Sequence, residues 1–233
     1  MKKTLENMNS VYEEIWHSIQ EREFDINSLS EFRTRVGRHY KDEKDSPFGL
    51  LIAGRCPNGW DENSADPNHI FPQNNSPLID VSKRIARHFY PGENPEEHLV
   101  WTNATHICDV DSGNAGKCLW KAQLDGIKKI ATTEQEVLSP QVSIFMTGSE
   151  DDWDEPYWDY LNAHGCSECF REERIVETTE KSKRVCKFLA YECEGRLFII
   201  TDRPETFARR KFADTVCMII EQWLAKERYG KYE

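Results

Sequence analysis

The 233-residue chain predicts an α/β fold. Its core is expected to be a mainly parallel sheet covered by helices on both faces, a three-layer α/β/α sandwich. Two observations predict this. Short apolar runs, Gly49–Ala53, His98–Asn103 and Gln141–Gly148, fit buried strands. Between them lie segments with apolar residues three and four apart, such as Leu78, Val81, Ile85 and Phe89, the spacing of one helix face.

The elements follow in order. Residues 3–20 read as an amphipathic helix with Leu5, Met8, Tyr12, Ile15 and Ile19 on one side. A second helix is expected after Ser28 or Ser30, either of which could cap it. The first strand, Gly49–Ala53, runs into a polar loop over residues 55–76, broken by Pro57, Gly59, Pro67 and Pro72. A loop of that length inside a compact domain is usually functional. Pro77 suits the first turn of a helix ending near Phe89. The second strand, His98–Asn103, leads through "ATHICDVDSGNAGK" to a helix over about Cys118–Ala131. After the third strand comes an acidic segment. Two more strands, "KRVCKFLAYEC" and "RLFIITD", are joined through Glu194 and Gly195. A last helix spans about Glu205–Lys226, with Phe212, Val216, Ile219, Ile220 and Trp223 inward. One domain over residues 1–233 is expected, with N-terminal helices in 1–45 and an acidic insert at 149–183.

Charge and cysteines narrow the function classes. No apolar run approaches the roughly 18 residues of a membrane span, and no apolar core follows the two N-terminal lysines. A cytoplasmic protein without a membrane partner is expected, its eight cysteines reduced or metal-bound rather than paired. Cys166 and Cys169 have the spacing of half a zinc site, but Cys186 and Cys193 would fall on opposite faces of a strand. No cofactor or metal is therefore expected, Cys166 and Cys169 being the candidate ligands if one binds. The net charge of −11 weighs against nucleic-acid binding. Residues 150–173, however, hold nine acids and one base, so they carry −8 of it and leave the body nearly neutral. The acids of this insert alternate with Trp153, Tyr157 and Trp158. A solvated lid helix is expected there, with a protein-docking or DNA-repelling element as the sharper reading.

Three strand ends carry polar residues that a parallel sheet would bring to one edge: "GRCPN", "WTNATH" and "TDRPET". Their order, with "PQVSIFMTG" between the second and third, resembles that of the uracil-DNA glycosylase superfamily. Gly54–Asn58 matches its Gly-x-x-Pro-x motif, Asn103 its strand ending in Asn, and Pro140–Gly148 its next strand. Arg203, Pro204 and Glu205 match its His-Pro-Ser motif only loosely, and Phe71 matches its loop aromatic. The resemblance covers about Phe48–Leu224 without the insert and implies a four-stranded, mainly parallel sheet. It also implies DNA as partner and a flipped base whose bond to deoxyribose is hydrolysed, an activity of base-excision repair.

The resemblance assigns roles residue by residue, and the departures matter. N-glycosidic cleavage passes through a cationic sugar and an anionic base, so fixed charges of matching sign are needed. Arg55 and Cys56 stand where many members have a carboxylate or amide, so the working carboxylate is expected from Asp61 or, second, Asp202. Arg203 would replace the histidine that steadies the leaving base. Asn103 would read the base edge through its carboxamide, and Phe71 would stack on the base. Gly54, Arg55 and Cys56 would line the pocket, and His106 could touch a phosphate or base. Asn58 stands where a bulky aromatic would screen the pyrimidine 5-position, so a base larger than uracil is expected. Binding without cleavage, or hydrolysis of free nucleosides or nucleotides, are the rival functions.

Overall fold

The computed structural model describes residues 2–22, 24–41, 47–57, 70–71, 76–148, 152–179 and 182–229. Four parallel strands form the centre: β3 (Leu50–Gly54), β4 (Leu99–Asn103), β6 (Val142–Phe145) and β9 (Arg196–Thr201). They lie in the order β4-β3-β6-β9. Their residues are buried almost throughout, which is why they read as unbroken apolar runs.

The expected four strands are extended to seven. On one side β2 (Arg35–Val36) pairs antiparallel with β4; on the other, β8 (Ser182–Cys193) pairs with β9 and β7 (Ser167–Thr179) with β8. Only Phe188–Cys193 of β8 pairs with β9, so the β7–β8 hairpin runs on past the carboxyl end of β9. The helix expected after Ser28 or Ser30 is replaced by strand β1 (Leu29–Glu31), antiparallel to β5 (Ile107–Asp109). Asp25 caps only one short turn, Ile26–Ser28. Pairing with β5 then claims Ser30, whose hydroxyl meets the Cys108 thiol (3.2 Å), so tertiary partners override the cap signal.

Helices cover both faces. Helix α2 (Pro77–Phe89) and helix α5 (Arg209–Tyr229) pack on the face carrying Leu50, Ile52, Leu99, Trp101, Ile144 and Ile199. Pro77 starts α2, and the Ser76 hydroxyl accepts from the Ile79 N–H. Leu51, Ala53, Val100, Phe145 and Ile200 face the other way. Helix α1 (Lys2–Gln20) and helix α3 (Gly116–Thr133) lie on that side. Gly126 lets them meet: a Cβ there would stand 2.2 Å from Ile15 Cγ1.

The acidic insert folds inward, contrary to the solvated lid expected. It supplies α4 (Glu155–Ala163) and β7. Tyr157 stacks on Phe145 (3.8 Å between centroids), and Trp153 packs on Trp120. Glu155 and Asp159 face outward, where Lys128 bridges them, both at 2.7 Å. The cysteines also depart from expectation. Cys166 is bonded to Cys193, because β7–β8 pairing sets their Cα atoms 4.7 Å apart, within disulfide range. Cys169 stays exposed, so Cys166 and Cys169 do not share a ligand site.

Candidate functional site

Strand register builds a row at the carboxyl edge, on the α2–α5 face. Gly54 lies beside Asn103, Ala53 beside Phe145 and Phe145 beside Ile200. One residue further along, Asn103, Gly54, Met146 and Thr201 therefore line up across four neighbouring strands. At about 4.8 Å per strand, Asn103 and Thr201 are about 14 Å apart along the edge.

Asn103 is the unusual member. It is 1% exposed, and neither its Oδ1 nor its Nδ2 has a hydrogen-bond partner among the described residues. A buried amide left unpaired costs about 1–3 kcal/mol, so native proteins rarely keep one without a use. Gly54 makes room for it. A Cβ on Gly54 would stand 2.7 Å from Asn103 Oδ1 and 2.5 Å from Leu78 Cδ2. Thr201 Oγ1, at 0% exposure, is equally without a partner among the described residues. Phe71 is buried on the same face, 5.2 Å from Trp101, two residues before Asn103.

The remaining candidates scatter. Arg55 faces the other way, with its guanidinium 4.1 Å from the Trp153 ring centroid. Its carbonyl accepts from the Thr105 N–H and hydroxyl, which ties the first loop to the second (3.0 and 3.1 Å). Cys56 is half-buried. Asp202 accepts from the Lys187 N–H (2.8 Å), so it extends the β8–β9 ladder rather than facing Asn103. Arg203 pairs with Glu205 (3.0 Å) on a half-exposed surface. Asn58 and Asp61 lie outside the described residues. His106 sits in the core, not at a phosphate or base: its Nδ1–H donates to the Phe32 carbonyl (3.1 Å) and its ring meets Tyr12 edge-on. Burial lowers its pKa from 6.5 to about 4, so it is neutral.

No protein-family model, curated protein or solved structure matches the chain.

Behind Asn103 lies a polar cluster that the sequence reading passed over. Helix α3 continues as one π-helical turn, Glu134–Leu138, and Glu134 is 1% exposed there. Its carboxyl accepts from the hydroxyls of Thr102 (2.6 Å) and Thr34, and the Tyr12 hydroxyl meets Thr34 (3.0 Å). Burial pushes its pKa from 4.5 to about 7, against the lowering by the Thr102 and Thr34 hydrogen bonds. The signal was present: Glu134 falls seven residues after the inward Ile127, on the same helix face. Among the described residues no cluster of three or more His, Cys, Asp or Glu could hold a metal. What the row offers is a buried, unpaired carboxamide and a buried, unpaired hydroxyl on one face of the carboxyl edge, with Phe71 packed on that face, groups suited to the polar edge of a planar ligand.

Proposed function

We propose that a recess at the carboxyl edge, around Asn103, binds a nucleobase flipped from DNA and that the protein is a DNA glycosylase of the uracil-DNA glycosylase type. The observation that carries this reading is Asn103, a buried carboxamide with no hydrogen-bond partner among the described residues, beside a glycine whose lack of a side chain makes room for it. Such a group gains fully from a base edge that arrives to pair with it. The motif strands support the reading too, being adjacent and parallel with their polar ends on one edge. An altered base larger than uracil remains the favoured substrate, and Asp61 the favoured carboxylate. The outward acids of the insert would repel DNA from that side or dock a basic protein.

One observation favours binding without cleavage. Asp202 is engaged by the Lys187 N–H, so among the described residues the row itself carries no acid. The two readings separate in one experiment. Single- and double-stranded oligonucleotides with varied bases are incubated with excess protein, and abasic sites are revealed by alkaline cleavage. Wild type should release one class of base, and Asn103→Ala should lower single-turnover release by about 10²-fold. Discrimination between bases should fall by about 1–3 kcal/mol. Base-specific binding without release would establish the binding module. Neither binding nor release by any oligonucleotide would end the DNA reading and leave free nucleosides as the substrate to try.

A further inference from the structure

A cleft of about 980 Å³ opens at the opposite, amino-terminal edge of the sheet. It is lined by the residues preceding β3, β6 and β9, by the π-helical turn and by the end of α4. We propose that this cleft is a second site, binding a small multiply charged oxyanion, a phosphate or polycarboxylate, between Lys41, Arg196 and Gln135.

Three donors converge there. Lys41 donates to the Ser139 carbonyl, capping the helix end, and the Tyr40 hydroxyl does the same for Leu138 (3.1 Å). That cap uses one of the three ammonium hydrogens. No carboxylate pairs with Lys41 among the described residues, although it is partly desolvated and Arg196 lies near enough to oppose its charge. Arg196 is held in place by the Gln135 carbonyl (3.2 Å) and by Glu194 (3.1 Å). Gln135 is 1% exposed; its Oε1 accepts from Ser143, but its Nε2 has no partner among the described residues. A buried amide donor beside two mutually repelling cations gains from an anion on both counts.

The surroundings fit a ligand of modest size. Tyr160 stacks on His164 (4.0 Å) along one wall. The Tyr160 hydroxyl is buried and feels the Arg196 charge. Glu194 neutralises part of Arg196, and Glu136 also lines the cleft. The ligand must therefore sit on the Lys41 and Gln135 side. Three non-glycine residues of the described chain have positive φ: Lys41 (57°), Ser139 (47°) and Glu194 (52°). All three line this cleft. A hairpin turn accounts for Glu194 and a helix cap for Ser139, while Lys41 is held there with its ammonium over the cleft.

Calorimetry at low ionic strength with inorganic phosphate and with citrate tests the site on the full chain. At least one should bind wild type, and the stronger identifies the anion class. Lys41→Gln should weaken it by about tenfold or more, the usual effect of losing a charged hydrogen bond. Gln135→Glu keeps the acceptor for Ser143 but replaces the amide donor with a negative charge, so it should abolish binding. Thermal melts without ligand confirm that both variants fold. Asn103→Ala, at the far edge, should bind as wild type does. Absence of binding by both anions, binding untouched in both cleft variants, or binding lost in Asn103→Ala each overturns the proposal.

Discussion

At the scale of single residues, the recess depends on one missing methyl group. Gly54 is in extended strand, so Gly54→Ala carries no backbone penalty, yet its Cβ would strike both Leu78 and Asn103. Overpacking of that kind costs about 1–3 kcal/mol. The second variant separates stability from function. Leu78→Ala removes one of the two clashes, so Gly54→Ala with Leu78→Ala should recover part of the melting temperature. The clash with the carboxamide remains, so base recognition should stay lost. Recovery of recognition along with stability would mean that Asn103 does not read the ligand. Asn103 was legible in the sequence because a polar residue closing an apolar strand is conspicuous. Thr201 was not, since a threonine ends strands in many folds without any role. The orientation of Arg55 was also hidden. Alternation along β3 sends it away from Gly54, but only the fold reveals Trp153 waiting on that side.

At the scale of elements, the four central strands were readable because burial on both faces leaves an uninterrupted apolar run. β1, β2 and β7 were not: the first two are three and two residues long and exist only through their partners. β7 lies at the sheet edge and is polar enough to pass for a solvated insert. The π-helical turn gives a pH prediction. Glu134 holds its proton more tightly in the folded state, with pKa about 7 against 4.5. The stability it contributes is complete below pH 4.5 and is lost as pH rises through 7. At 1.4 kcal/mol per pH unit this is roughly 3 kcal/mol. His106 acts in the opposite sense. Its pKa falls from 6.5 to about 4, so its contribution is complete above pH 6.5 and is lost as pH falls toward 4. Between pH 4.5 and 6.5 the two slopes oppose each other. Urea unfolding of wild type should therefore be nearly flat there. Glu134→Gln, which keeps an acceptor for both threonines, should expose the His106 slope and be more stable than wild type at pH 8. His106→Asn should uncover the reverse slope, with stability rising steadily as pH drops from 7 to 4.5. Parallel curves for all three proteins would show that neither group titrates within the core.

At the scale of the whole molecule, the net charge of −11 has to be reconciled with the polyanionic partner proposed above. The distribution does this. A groove of about 330 Å³ between α2 and α5 is lined by Arg84, Arg87, His88 and Arg210, with Asp214 among them. Arg84 and Arg209 share Asp80 (3.1 and 3.7 Å), so the cations here outnumber their acids. These two helices cover the face that carries Asn103, whereas α4 of the acidic insert packs on the other. A DNA strand whose base enters the recess would then run beside α2 and α5, away from α4. Phosphate contacts release counterions, so each one adds about one unit to the slope of log affinity against log salt. Arg87→Gln and Arg210→Gln lie outside the recess. Each should weaken oligonucleotide binding equally for every base, and the pair should flatten the salt slope by about two units. Replacing Asp151 and Asp152 with Asn, which removes two charges of the sign DNA carries, should raise oligonucleotide affinity at low salt. Asp154 belongs apart from them, since its carboxylate accepts from Trp158 Nε1 (2.8 Å) and its loss would cost stability. A salt slope unchanged in the double arginine variant would move the DNA track off α2 and α5. It would then point to the β7–β8 hairpin, which extends past the carboxyl end of β9.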